Sequence, residues 1–261
     1  MTYNIALAQL SLPQGKPEDN YQAAAEAARE AAERGAEVLL LPELWASGYD
    51  LENCAKYASP LDKGWFDRMA TLAKENQIAV GGSLIEKDQG SYYNTFVLLD
   101  RTGQRLGAYR KIHLFRFLEE EKYLKGGDQL VLLDSPWGKV ALATCYDLRF
   151  PEIFRAYAVK GAEIIFLVSE WPRKRIAHWD ILLQARAVEN QCFIAAVNKV
   201  GTSKGAPLGG RSAVIDPMGN YLVKGDESPA VLVAEIDLGL TQKTREWMPV
   251  LQDRNPGVYD S

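Results

Sequence analysis

Three side chains of unlike chemistry stand where apolar runs stop. Glu43 closes Ala36-Glu37-Val38-Leu39-Leu40-Leu41-Pro42, Lys111 closes Leu106-Gly107-Ala108-Tyr109-Arg110, and Cys145 follows Lys139-Val140-Ala141-Leu142-Ala143-Thr144. In an α/β sheet, ligands gather outside the C-terminal ends of the strands. A carboxylate, an ammonium and a thiol at three such ends compose an acyl-transfer site. The thiol is the nucleophile of the set. With an unperturbed pKa of about 8.5 it needs a base at neutral pH, and Glu43 supplies one. The same carboxyl, once protonated, can protonate a leaving amine and then activate water against the thioester. Lys111 and the backbone N–H of Tyr146 are placed to stabilise the oxyanion. Pro151 opens a helix shortly after Cys145, so the thiol is expected near a positive helix end that lowers its pKa. A cysteine–histidine pair with His113 as base is the second arrangement these residues permit. No papain-type or caspase-type signature surrounds Cys145 to favour it.

Composition narrows the class. The chain has 261 residues, 47% of them hydrophobic, which suffices for one large domain or two small ones. A formal net charge of −4, with no dominant Lys/Arg cluster, argues against a nucleic-acid or membrane-surface partner. Cys54, Cys145 and Cys192 are odd in number and widely spaced. They suggest neither a disulfide framework nor a zinc site, and fit a reducing cytoplasm. No secretion-signal pattern or membrane-length apolar run is present. The glycine pairs lack the context of a nucleotide loop, no His-Glu-x-x-His occurs, and His113 and His178 are too isolated for a histidine-rich metal site.

The chemistry must be positioned by strands and helices that alternate. An opening strand, Asn4-Ile5-Ala6-Leu7-Ala8-Gln9-Leu10, precedes a helix over 17–34. A second helix over 64–75 precedes the strand Ile78-Ala79-Val80-Gly81-Gly82, and Asp100-Arg101-Thr102-Gly103 marks a hairpin turn. The second half repeats the first. Lys139-Val140-Ala141-Leu142-Ala143 echoes Asn4-Ile5-Ala6-Leu7-Ala8, and Gly161-Ala162-Glu163-Ile164-Ile165 echoes Gly35-Ala36-Glu37-Val38-Leu39. Glu189-Asn190-Gln191 echoes Glu75-Asn76-Gln77, and Asp216-Pro217-Met218-Gly219 echoes Asp100-Arg101-Thr102-Gly103. Four matched pieces in one order indicate internal duplication. Strands apolar on both faces require helical cover. Periodicity permits either a four-layer α-β-β-α sandwich or one doubly wound sheet. Residues 1–240 form one domain on this reading. Residues 241–261, with Trp247, Met248, Pro249 and Tyr259, form a tail that packs on the domain or on a neighbouring subunit.

Three motifs, in order, resemble those of the nitrilase superfamily of carbon–nitrogen hydrolases. They are Leu41-Pro42-Glu43-Leu44 with Gly48-Tyr49, Tyr109-Arg110-Lys111-Ile112-His113-Leu114-Phe115, and Cys145-Tyr146-Asp147-Leu148-Arg149-Phe150-Pro151-Glu152. The similarity spans nearly the whole chain. It implies the α-β-β-α sandwich, no cofactor, a homodimer or larger homo-oligomer, and the roles already assigned to Cys145, Glu43 and Lys111. It adds a second active-site glutamate, Glu120, seven residues before Gly127-Asp128. The segment Glu170-Trp171-Pro172-Arg173-Lys174-Arg175, with Gln184-Ala185-Arg186-Ala187-Val188-Glu189-Asn190-Gln191, is similar to the small-amidase branch. That branch includes omega-amidases acting on 2-oxoglutaramate. Tyr49, Trp171, Arg173 and Arg175 are then the substrate-binding candidates, an arginine taking the substrate carboxylate. Deaminated-glutathione amidase and N-carbamoyl amide hydrolase, which would use the same four catalytic residues, are the alternatives within the class. A non-catalytic binding subunit on this fold is the alternative of a different class.

Overall fold

A computed structural model describes residues 2–259. In chain order its first half comprises β1 (Thr2–Gln9), α1 (Pro17–Glu33), β2 (Val38–Leu40), α2 (Cys54–Tyr57), α3 (Trp65–Asn76), β3 (Ala79–Asp88), β4 (Ser91–Leu99) and β5 (Arg105–Arg110). The second half comprises β6 (Leu132–Ser135), β7 (Gly138–Thr144), α4 (Pro151–Val159), β8 (Ile164–Ser169), α5 (Ile176–Asn190), β9 (Phe193–Asn198), β10 (Thr202–Ser203), β11 (Ala206–Pro207), β12 (Ala213–Ile215) and β13 (Tyr221–Lys224). Then come β14 (Ala230–Asp237), α6 (Gly239–Trp247) and α7 (Pro256–Tyr259).

Two six-stranded sheets result, ordered β14-β1-β2-β3-β4-β5 and β13-β12-β9-β8-β7-β6. The continuous apolar runs resolve into two alternating faces, because successive strand side chains point opposite ways. In the first sheet Leu39 and Leu41 pack with residues of α1 and α3, whereas Val38 and Leu40 pack toward the second sheet. In the second, Ile165 and Leu167 meet α4 and α5, while Ile164, Phe166 and Val168 join the same inter-sheet core. The layers are therefore α-β-β-α.

The duplication is visible bond by bond. Gln77 and Gln191 end α3 and α5 in the left-handed conformation, at φ 52° and 49°, and the preceding Asn76 and Asn190 donate to carbonyls four residues back. Asp100 and Asp216 each accept a backbone N–H from the second and fourth residues following. That is the side-chain-stabilised turn that such Asp/Gly pairs favour. Each half also borrows an edge strand placed outside its repeat. β14 pairs antiparallel with β1, and β6 with β7.

One strand runs longer than the pattern-based expectation. β3 continues past Gly82 to Asp88, because Ser83 and Glu86 are polar yet buried against β4, and buried polar residues hide a strand from a hydrophobicity pattern. Within the tail, α6 is tied to the second half: Gln191 donates to the Met248 carbonyl at 2.7 Å and Arg245 to that of Ala162 at 2.6 Å. Trp247 in this tail is 66% exposed. Residues 260 and 261 of the tail lie outside the described residues.

Candidate active site

Pro42 ends the β2 run and turns Glu43 into the space between the sheets, where its side chain is fully buried. Lys111, just beyond β5, is equally buried. Its backbone N–H donates to the Asn94 carbonyl and its own carbonyl accepts from Gly127 N–H, both at 2.9 Å. Gly127 has a specific task there: a Cβ would lie 2.2 Å from the Arg110 carbonyl oxygen, so only glycine lets the chain return this close.

The charged groups form one network. Lys111 Nζ donates to Glu43 Oε1 at 2.9 Å and to Glu120 Oε1 at 2.7 Å. Asn94 Nδ2 donates to the same Glu43 oxygen at 2.7 Å, and Glu170 N–H to the other at 3.0 Å. Glu120 also accepts from Tyr49 OH and, at 2.8 Å, from Phe115 N–H. Glu120 sits in an irregular stretch of short 3-10 turns, where Glu119 takes the left-handed conformation at φ 56°.

Cys145 closes β7 at φ 46°, a conformation a non-glycine residue keeps only when its surroundings enforce it. Asp147 does much of the enforcing. Its buried carboxylate accepts from Thr144 N–H at 2.9 Å, Tyr109 OH at 2.7 Å and His113 N–H at 3.1 Å, with His113 Nδ1 a further 2.8 Å contact. It thereby ties the Cys145 turn to the strand end that carries Lys111. Cys145 Sγ lies 4.0 Å from the Glu170 carbonyl oxygen.

The electrostatics reverse one expectation. Burial and the Glu43 charge push the Cys145 thiol well above its ordinary pKa, with Lys111 opposing. The turn at the cysteine does not outweigh them. Burial also raises the Glu43 carboxyl, with Lys111 lowering and Glu120 raising it. Burial works against the Lys111 charge, yet Glu120 and Glu43 together hold its pKa well above the usual value. Burial thus holds the thiol toward its protonated form and makes the neighbouring Glu43 carboxyl more basic. His113 is engaged elsewhere: its ring bonds to Asp147 and stacks on Phe150 at 3.6 Å.

A cavity of about 270 Å³ opens above the thiol, lined among others by Tyr49, Tyr146, Trp171 and Arg175. Arg149 also lines it, its guanidinium 4.7 Å from the Trp171 ring and 3.3 Å from His178 Nδ1. Arg175 lies over Phe115 at 5.2 Å. Among the described residues neither arginine pairs with a carboxylate. Arg173 is directed elsewhere, to Glu227 at 3.2 Å, and does not line the cavity. Reasoning from sequence overlooked Asn94, Asp147, Arg149 and Lys199. Lys199 and Glu170 each follow a strand end, the signal that identified Glu43. Among the described residues no group of three or more His, Cys, Asp or Glu is arranged to hold a metal ion, and no helix is long and apolar enough to cross a membrane.

The fold and this cluster together define a carbon–nitrogen hydrolase. The family profile with that description matches residues 4–246, so the chain belongs to the carbon–nitrogen hydrolase family. It is 37% identical to the 2-oxoglutaramate amidase of Bacillus subtilis, over 99% of this chain and all of that one. It is 33% identical to the omega-amidase NIT2 of Homo sapiens, over 99% and 97%. A CN-hydrolase superfamily protein from Xanthomonas campestris, with an arsenic adduct in its active site, superposes at a TM-score of 0.91 with 29% identity, covering 98% of each chain. A mutant amidase from Nesterenkonia sp. AN1, showing Michael addition of acrylamide at its active-site cysteine, superposes at 0.89 with 29% identity, over 99% and 98%.

Proposed function

We propose that this chain is a thiol amidase that hydrolyses 2-oxoglutaramate, or a closely similar oxo-acid amide, to the dicarboxylate and ammonia. One observation carries the reading: a buried Glu43–Lys111–Glu120 network lies beside the Cys145 thiol, under a cavity whose Arg149 and Arg175 have no carboxylate partner among the described residues. The Cys145 proton passes to Glu43 as sulfur attacks the amide carbon. The oxyanion is met by Lys111 and the Tyr146 N–H. Glu43 returns the proton to nitrogen, the C–N bond breaks, and ammonia leaves behind a thioester. Water, deprotonated by Glu43, attacks that carbon; the C–S bond breaks and the thiol regains its proton. Glu120 fixes Lys111 and is in turn fixed by Tyr49. A cytoplasmic homo-oligomer completes the proposal.

The direct test is ammonia release from 2-oxoglutaramate, beside simple amides and an N-carbamoyl amino acid. Strong turnover of the oxo-amide supports the reading, and turnover confined to the carbamoyl compound would replace it. Two outcomes follow from the geometry. Because Glu43 must be ionised to act as base, kcat/KM should rise with pH as it loses its proton. Since burial raises that carboxyl, the acid limb should lie above the ordinary carboxylate range, which a pH–rate profile reads directly. Arg175→Ala should raise KM for the oxo-acid amide by about tenfold to a hundredfold, the worth of a charge-assisted contact. The same variant should treat an uncharged amide like the wild type, and equal effects on both would remove Arg175 as the carboxylate partner.

A further inference from the structure

Glu170 and Lys199 form a buried ion pair that the acyl-transfer reading leaves without a task. Lys199 Nζ lies 2.5 Å from Glu170 Oε2; the lysine side chain is fully buried and that of Glu170 only 3% exposed. Such pairs contribute little net stability, because desolvating two charges offsets their attraction, and apolar side chains of similar volume often serve as well. Their placement is more informative. Glu170 lines the cavity, its N–H donates to Glu43, and its carbonyl oxygen lies beside Cys145 Sγ. Lys199 engages one carboxylate oxygen. Among the described residues the other, Oε1, has no hydrogen-bond partner, and Glu170 is one of the residues that line the cavity.

The charges around the cavity are unequal. Arg149, Lys174, Arg175 and Lys204 are cations, and Glu170 is the one carboxylate among the described lining residues. A molecule meeting both signs needs an anionic end for the arginines and a hydrogen-bond donor near the thiol. In an oxo-acid amide the only such donor is the nitrogen to be released. We propose that Glu170, held in place by Lys199, accepts a hydrogen bond from the N–H₂ of the scissile carboxamide and so selects amides over the corresponding esters. This rests on the acyl-transfer reading above. An ester has no N–H to offer, and an acceptor built for a donor discriminates strongly against a substrate lacking one.

The test compares kcat/KM for an oxo-acid amide and its matched methyl ester in wild type, in Glu170→Met/Lys199→Met, and in Glu170→Gln/Lys199→Met. The paired substitutions leave no unpaired buried charge, and the glutamine retains a carbonyl acceptor. The amide-to-ester ratio should fall about tenfold to a hundredfold in the double methionine variant and recover in part with glutamine. A folded variant with an unchanged ratio, whatever happens to the absolute rates, overturns the assignment of Glu170 alone. A wild-type protein that turns over neither substrate overturns the acyl-transfer reading and this one with it.

Discussion

Replacing Cys145 by alanine is expected to lower amide turnover by about 10⁴-fold or more, because no other described residue lining the cavity carries a thiol. The fold should survive. Alanine keeps the Cβ that already occupies φ 46°, so the strain of that position is unchanged, and the lost sulfur costs about 1 kcal/mol. Far-UV circular dichroism and thermal melting should therefore match the wild type closely. A second readout identifies the atom: a slowly hydrolysed ester should add one acyl mass to the wild-type protein and none to the variant. Cys54 and Cys192, both buried away from the cavity, should stay unmodified in each. An acyl adduct on the Cys145→Ala protein would place the nucleophile elsewhere.

Lys111→Met carries the largest expected effect on stability as well as on rate. The lysine is the cation between Glu43 and Glu120, and all three side chains are fully buried. Removing it strands two carboxylates, a change that typically costs about 3–5 kcal/mol and, at roughly 2–4 °C per kcal/mol, lowers Tm by about 10 °C. The loss should depend on pH with a definite sign. Lys111 is what lowers the Glu43 carboxyl, while burial and Glu120 raise it, so without the lysine that carboxyl rises further. A carboxyl with a raised folded pKa holds protons that the unfolded chain has released, so stability is retained below the unfolded pKa and lost as pH climbs through the folded one. The variant should be closest to wild type in the ordinary carboxylate range and fall further below it as pH rises to about 8. Melting curves across that range, alongside kcat, check both parts, and a variant with an unchanged Tm at pH 8 would show that the lysine does not neutralise the pair.

How much of this was legible beforehand depended on what each residue asks of its neighbours. Glu43, Lys111 and Cys145 announce themselves locally, because a polar side chain ending an apolar run has a predictable place at a strand end. Glu120 lies in 3-10 turns without periodicity, and only the family resemblance singled it out. Asn94 is one more polar residue inside β4; that it donates to Glu43 follows from how β4 lies against the β2 end, which no local pattern encodes. Arg173 and Arg175 look equivalent as residues, yet they occupy a single 3-10 turn. At three residues per turn, positions two apart point well away from each other, so one reaches Glu227 and the other the cavity. A positive helix end is a local feature and argues for a lowered thiol pKa, whereas burial beside Glu43, a product of the whole assembly, pushes it up.

The pairing of β14 with β1 bears on the order in which the chain is made. Thr2 faces Asp237 and Gln9 faces Ala230 across that ladder, so the earliest strand waits for one of the latest. During synthesis the apolar edge of β1 stays open until residues 230–237 have left the ribosome, which makes this segment the stretch most in need of protection from a nascent neighbour.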